Sequence, residues 1–148
     1  MSDCIFCKII KGDIPSVKIW EDKEFLAILD VFPNTKGMTL IMPKKHDDSY
    51  AFEMPEKIYQ KFLIAGKKVG KLLDKKLGVQ RTALVMEGMG VNHVHLKLYP
   101  LHGLEKKFKE IISSESIFFE NYLGYLTTQM GPKADFEELK KIGRKIKK

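Results

Sequence analysis

The chain has 148 residues, of which 44% are hydrophobic and 30% are charged. This length is typical of one domain, and such a domain buries roughly two-thirds of the surface that its unfolded chain exposes. No apolar run approaches the ~20 residues that a membrane-spanning helix requires, and the N-terminal segment lacks the pattern of a signal peptide. We therefore expect a soluble, cytoplasmic protein that has no membrane partner.

The net charge of +7 raises the question of a nucleic-acid or other polyanionic partner. Six of the 26 basic residues lie within the last nine positions, which is typical of the solvated face of a terminal helix. A general attraction to polyanions is the alternative. We therefore expect contact with nucleic acid, if any, through this basic tail only.

The first part of the chain is predicted to form short strands. β-rich composition indicates strands at residues 17–21 and 25–30, which meet at a tight turn over residues 22–23. An apolar run indicates a third strand at residues 38–42, which ends before a proline. These segments predict a hairpin followed by a further sheet strand.

A long helix and two more strands follow. Apolar residues recur at three- and four-residue steps from Pro55 to Leu77, and Gly78 stands where a helix-ending glycine belongs. Residues 82–87 and 93–99 are predicted as the fourth and fifth strands. The order predicts an α+β fold in which a five-stranded antiparallel sheet carries one long helix on one face.

The remainder of the chain is predicted to be a helical C-terminal extension. Helical patterns lie at residues 106–112, at residues 117–126 and in a last segment that begins near Asp135 with a capping-box-like start. The apolar side chains of this part favour burial over exposure to water. We therefore divide the chain into a core domain, residues 1–103, and an extension, residues 104–148, that packs on the same domain.

The predicted fifth strand carries the most informative pattern. Alternation directs Val94, Leu96 and Leu98 toward the core. The other face, which we expect to meet water, carries four polar residues about 7 Å apart in succession, namely His93, His95, Lys97 and Tyr99. Two imidazoles beside an ammonium suit an anion such as phosphate, and a neutral imidazole is a nucleophile at pH 7. Polar histidines without a function and a metal site remain alternatives.

Cys4 and Cys7 are the only two cysteines, and they are three positions apart. A structural disulfide between such close neighbours would close a very small loop, and the cytosol keeps thiols reduced. Metal ligation, redox chemistry and no particular role remain open for this pair.

Four blocks of sequence, in order, resemble the histidine triad (HIT) family of nucleotide hydrolases and transferases. The blocks are CIFCKIIKGDIPS at residues 4–16, WED with AILD between residues 20 and 30, PNTKGMTLIMPKKH at residues 33–46, and HVHLKLYP at residues 93–100. The last block has the alternating histidines and the closing proline of the family signature. The resemblance covers residues 4 to about 103.

The resemblance implies roles for individual residues. His95 is similar to the nucleophilic histidine that takes the nucleotidyl group, and His93 and Lys97 occupy the other two triad positions. Asp30 resembles the carboxylate that accepts hydrogen bonds from ribose hydroxyls. The apolar clamp around the base is expected to comprise Ile5, Phe6, Ile9, Ile28 and Val31. Ordinary core packing is the alternative for these apolar side chains.

The resemblance also implies a structural zinc ion. A C-x2-C pair with two distant histidines forms a complete tetrahedral set, and the ligands here are Cys4, Cys7, His46 and His93. Two buried thiols with unrelated histidines, or a redox pair, are the alternatives.

Three departures from the family pattern affect the expected activity. Lys97 replaces the third histidine, Met38 replaces a frequent histidine, and the glycine-rich loop before the triad is shortened to residues 88–91. Lys97 supplies a fixed positive charge, but an ammonium cannot replace the neutral imidazole as an acid–base relay. Nucleotide binding should survive these changes better than turnover does.

The leading hypothesis is hydrolysis or transfer of a nucleoside monophosphate group through a nucleotidyl-histidine intermediate. The donor would be an activated purine nucleotide of the phosphoramidate or dinucleoside polyphosphate type. The family resemblance implies a homodimer. The alternative hypotheses are a nucleotide-binding module with little or no turnover and a polyanion-binding protein that uses the basic tail.

Overall fold

The structure, a computed structural model, describes residues 3–127 and residue 133. The chain divides into two compact units, Met1–Phe108 and Lys109–Lys148. The elements of the first unit are α1 (Ile5–Lys11), β1 (Lys18–Glu21), β2 (Phe25–Leu29), β3 (Thr39–Pro43), a 3-10 turn (Ala51–Glu53), α2 (Glu56–Leu77), β4 (Thr82–Val85) and β5 (Leu96–Pro100). Among the described residues, no helix is both long and apolar enough to cross a membrane.

Across the described residues, five strands form an antiparallel sheet in the order β1-β2-β3-β5-β4. The predicted five-stranded antiparallel sheet with one long helix is therefore confirmed. The turn between β1 and β2 forms where it was predicted, because the Asp22 carboxylate accepts the backbone N–H groups of Glu24 and Phe25, each at 2.8 Å. Such a side-chain bond fixes a short turn.

Helix α2 covers one face of the sheet. Its buried residues are Phe62, Ala65, Gly66, Val69 and Leu73. They pack against sheet residues that point to the same side, among them Ala27, Ile41, Leu96 and Leu98. The helix ends at Gly78, whose φ of 66° is readily adopted by glycine and whose N–H caps the last turn.

The opposite face of the sheet is covered by α1, a seven-residue helix that the sequence patterns did not predict. Phe6 and Ile9 of this helix pack on a second apolar cluster that includes Leu26, Ile28 and Leu40. Seven residues are too few to show a clear helical period, and a helix this short is stable only through its tertiary contacts. Both faces of the sheet are thus buried.

The predicted fifth strand begins later than expected. His93 and His95 precede β5, which starts at Leu96, and β4 ends at Val85 instead of residue 87. The backbone N–H of His93 bonds to Val91, and that of Val94 bonds to Asp47. These hydrogen bonds take the place of the ones that longer strands β4 and β5 would form with each other.

The helices predicted at residues 106–112 and 117–126 are absent, since residues 104–127 contain bends and no helix or strand. A short helix needs an apolar face packed on a partner, and most large apolar side chains here are exposed, as for Phe118 at 72%. The helix predicted to begin near Asp135 lies outside the described residues. The packing of the extension on the core domain stays a prediction.

Candidate active site and metal centre

His95 lies in the segment that leads into β5, beneath α1. Its side chain is 4% exposed, and the ring of Phe6 contacts it edge-on at 5.1 Å between centroids. The prediction that His93 and His95 face water is therefore wrong: α1, which the sequence patterns missed, covers that face. The alternation itself is correct, because Val94, Leu96 and Leu98 pack in the cluster under α2.

A backbone hydrogen bond fixes the tautomer of His95. Its Nδ1 lies 2.8 Å from the carbonyl oxygen of His93, and since a carbonyl only accepts, Nδ1 carries the proton. The lone pair is then on Nε2, where an imidazole nucleophile needs it. Burial lowers the pKa of His95, the His93 carbonyl raises it, and Lys97 lowers it further. The ring is therefore neutral at pH 7.

His93 is fully buried and is held on both sides of its ring. Its Nε2–H donates to the carbonyl oxygen of Pro43 at 2.8 Å, which leaves the Nδ1 lone pair for a ligand. This Nδ1 lies 3.5 Å from Cys4 Sγ and 3.7 Å from Cys7 Sγ. Burial lowers the pKa of His93, which favours the neutral ring that binds metals.

The four predicted metal ligands come together. The candidate ligand atoms of Cys4, Cys7, His46 and His93 all lie within 4.8 Å of one another. Cys7 Sγ is 3.4 Å from His46 Nδ1. In a tetrahedral zinc site the sulfur and nitrogen ligands are about 3.6 Å apart, so the donor set and its spacing fit zinc.

The loop that carries His46 is fixed by contacts that the sequence did not reveal. Asn92 accepts the backbone N–H of Ser49 at 2.9 Å and donates to Asp48 at 3.0 Å. The Asp48 carboxylate in turn lies 3.8 Å from Nε2 of His46. Because Asn92 adjoins His93, these bonds connect the segments that carry the two candidate histidine ligands.

Lys97 pairs with a carboxylate that the sequence patterns did not single out. Its ammonium lies 2.7 Å from an oxygen of Glu87, and the two side chains are 23% and 11% exposed. From the sequence, Glu87 was placed only at the end of the predicted strand at residues 82–87. Lys97 is thus half-buried on the same side as His95, as predicted, but its charge is compensated.

The other predicted nucleotide-binding residues divide into two groups. Phe6, Ile9 and Ile28 are buried together in the cluster under α1. Ile5 lines an open cleft beside the candidate metal ligands, and Val31 is 77% exposed. The arrangement of all five apolar residues around a base stays a prediction.

Asp30 follows β2. One of its carboxylate oxygens accepts the N–H of Phe32 at 2.8 Å. Its negative charge acts to raise the pKa of His95. The carboxylate thus lies in the electrostatic neighbourhood of the imidazole.

Comparison with known proteins agrees with this geometry. Residues 11–103 match the HIT domain family model. An uncharacterised HIT-like protein of Methanocaldococcus jannaschii is 41% identical over 116 residues, which cover 73% of this chain and 88% of that protein. The adenosine 5'-monophosphoramidase hnt1 of Schizosaccharomyces pombe is 38% identical over 98 residues, which cover 66% of this chain and 73% of that protein.

A solved structure extends the comparison to the metal centre. The crystal structure of a zinc-bound histidine triad family protein from Mycobacterium smegmatis is 29% identical, with a TM-score of 0.62 over 74% of this chain and 84% of that one. The family model and the sequence relatives agree, and so does the fold of this solved structure. The chain belongs to the histidine triad (HIT) family.

Proposed function

We propose that the protein hydrolyses or transfers a nucleoside monophosphate group from an activated purine nucleotide, with His95 as the nucleophile. The observation that carries this proposal is the hydrogen bond from His95 Nδ1–H to the His93 carbonyl, which leaves the Nε2 lone pair available. Burial keeps the ring neutral, and the relative from Schizosaccharomyces pombe acts on a nucleotide of this type.

In the proposed mechanism, Nε2 of His95 attacks the α-phosphorus and displaces the leaving group as an amine, a phosphate or a second nucleotide. Water or another acceptor then attacks the phosphorus and releases the imidazole. Lys97 lies on the same side of the strand as His95 and stabilises negative charge on the phosphoryl oxygens. Asp30 is the candidate partner of the ribose hydroxyls, and the purine base lies against apolar side chains, with Phe6 nearest to the histidine.

We also propose that Cys4, Cys7, His46 and His93 hold a zinc ion. Bound zinc would supply a structural crosslink among the start of α1, the loop after β3 and the segment before β5. Because the carbonyl of His93 accepts the Nδ1–H of His95, the metal ligand also orients the nucleophile. Burial raises the pKa of the Cys7 thiol, and a dication would favour its thiolate.

Substitution of the nucleophile tests the proposal. His95→Asn should abolish capture of an α-phosphate-labelled nucleotide and lower turnover of adenosine 5'-phosphoramidate roughly 10³-fold or more, because both steps pass through the imidazole. Nucleotide affinity should change only a few-fold. His102→Asn is the matched control, since His102 is exposed and its ring bonds to the backbone carbonyl of Lys36. Equal turnover by His95→Asn and wild type would exclude His95 as the nucleophile.

A nucleotide-binding module with little turnover is the second candidate. The specific observation in its favour is the ion pair that Lys97 forms with Glu87 at the position of the third triad histidine. Single-turnover labelling separates the two candidates, because a binding module takes up nucleotide without forming a covalent adduct at His95.

A further inference from the structure

The ion pair between Glu87 and Lys97 has no role in the mechanism above. Its two charged atoms are 2.7 Å apart, and both side chains are mostly shielded from water. By contrast, the pair between Glu24 and Lys61 has the same 2.7 Å separation, but both side chains are more than 40% exposed. The electrostatic effect of the shielded pair is therefore the stronger one.

Its contact with Lys97 places Glu87 on the same side of the sheet as His95. Val85 is paired with Lys97 at the end of the ladder between β4 and β5, and Glu87 lies two residues beyond Val85. Met86 packs with the cluster under α2, which directs the next side chain to the other face. His95, Lys97 and Glu87 thus lie on one side of the sheet. The charge of Lys97 lowers the pKa of His95, and the charge of Glu87 raises it.

This placement has a consequence for the charge of the substrate. An uncompensated ammonium beside the nucleophile would attract any chain of phosphates. With Glu87 attached, the pair has no net charge, and the carboxylate repels additional negative charge near the α-phosphate. A nucleoside monophosphate joined to an amine carries fewer negative charges than one joined to further phosphates.

We infer that Glu87 determines the specificity of the site by neutralising Lys97. It thereby favours nucleoside monophosphates that carry an amine leaving group over those that carry a polyphosphate leaving group. The inference rests on the proposed function, because it assumes that a nucleotide phosphate binds at His95.

Binding of ligands with increasing charge tests the inference. Dissociation constants for adenosine, AMP and ADP are measured by calorimetry in the His95→Asn background, where no turnover occurs. Adding Glu87→Gln should leave adenosine affinity unchanged and should tighten ADP binding about tenfold relative to adenosine, with AMP between them. Glu24→Gln is the matched control and should change these ratios less than twofold, because it releases an exposed lysine.

Two further variants distinguish the electrostatic effect of Glu87→Gln from an effect of this substitution on folding. Lys97→Met alone removes the ammonium that neutralises Glu87 and should weaken ADP binding about tenfold relative to adenosine. Lys97→Met with Glu87→Gln also removes the repelling carboxylate, so it should restore part of the ADP affinity, relative to adenosine, that Lys97→Met alone loses. If Glu87→Gln fails to fold, this pair of variants decides the question.

The outcomes separate the inference from the proposed function. If nucleotides bind and Glu87→Gln changes the ratio no more than Glu24→Gln does, the role of Glu87 is overturned while the proposed function stands. If the ratio shifts as expected but the wild type forms no adduct, the role of Glu87 holds and the enzymatic proposal fails. A wild type that binds no nucleotide contradicts both.

Discussion

His93 connects the candidate metal centre with the proposed nucleophile. Its ring is fixed by the Pro43 carbonyl and presents Nδ1 to the two cysteines, while its own carbonyl accepts the Nδ1–H of His95. Displacement of His93 therefore also displaces the acceptor that fixes the His95 tautomer. At the scale of single residues, a candidate metal ligand and the proposed nucleophile are two positions apart and are joined by one hydrogen bond.

Lys97 offers a test at this scale that distinguishes an adapted enzyme from a decayed one. If its ammonium stabilises the bound phosphoryl group, Lys97→Met should lower nucleotide affinity and rate by about 1.5–3 kcal/mol, as expected for a lost charge-assisted hydrogen bond. Steady-state kinetics with adenosine 5'-phosphoramidate and calorimetry with AMP measure both quantities.

Lys97→His completes this test. Turnover that rises well above wild type without tighter binding would indicate that the lysine replaced a catalytic imidazole, and it would favour the binding module. Unchanged affinity and rate in Lys97→Met would contradict any contact between this side chain and the phosphate.

At the scale of elements, the site depends on the approach of two loops. The loop between β4 and β5 packs on the loop after β3 through Gly88, where an added Cβ would lie 2.6 Å from the carbonyl oxygen of Ser49. Gly88 also has a φ of 78°, which L side chains rarely adopt. Since Glu87 and His46 lie on these two loops, their separation depends on this glycine.

Gly88→Ala should therefore destabilise the protein by at least about 1–2 kcal/mol, because it adds backbone strain and a clash with backbone atoms. Gly90→Ala is the control, since among the described residues no atom other than those of its two chain neighbours lies within 4 Å of its added Cβ. Urea unfolding followed by circular dichroism measures the difference. A Gly88→Ala variant as stable as Gly90→Ala would show that the loops can separate at little cost.

At the scale of the whole molecule, the candidate zinc ligands join segments that are distant in sequence. Cys4 and His93 are 89 positions apart, and Cys7 and His46 are 39 positions apart. A crosslink over such separations removes much of the freedom of the unfolded chain. Metal binding should therefore contribute to the free energy of unfolding of the first unit as well as to the site.

Purified protein should contain about one zinc ion per chain, and its removal by a chelator should lower the melting temperature by about 10 °C, or roughly 3 kcal/mol. Cys4→Ser should lose both the metal and this stability. Elemental analysis and calorimetry measure the two effects, with His102→Asn as control. Metal-free protein with unchanged melting would leave the cysteines as ordinary thiols.

The predicted homodimer concerns the same scale. Sedimentation velocity at micromolar concentration should give about twice the chain mass of 17.0 kDa. A monomer at that concentration would contradict the prediction. Contact of the basic tail with nucleic acid also stays a prediction, and steep loss of binding with salt would support it.

The sequence by itself determined the elements whose signals are local. The alternation around Leu96 and the period of α2 show which side chains share a surface, and Gly78 marks the end of the helix. The sheet and the long helix were therefore predictable. The resemblance over four blocks singled out the four candidate metal ligands, and the structure brings their ligand atoms within 4.8 Å of one another.

Only the tertiary structure decided which side chains are buried and which charged groups form pairs. α1 was too short to show a helical period, yet it covers His95, and this burial lowers the pKa of the imidazole. Glu87 had no distinguishing local pattern, and its pairing with Lys97 depends on how β4 meets β5. Periodicity reports the direction of a side chain relative to its own segment, whereas burial and charge compensation depend on other segments, which fold from distant parts of the chain.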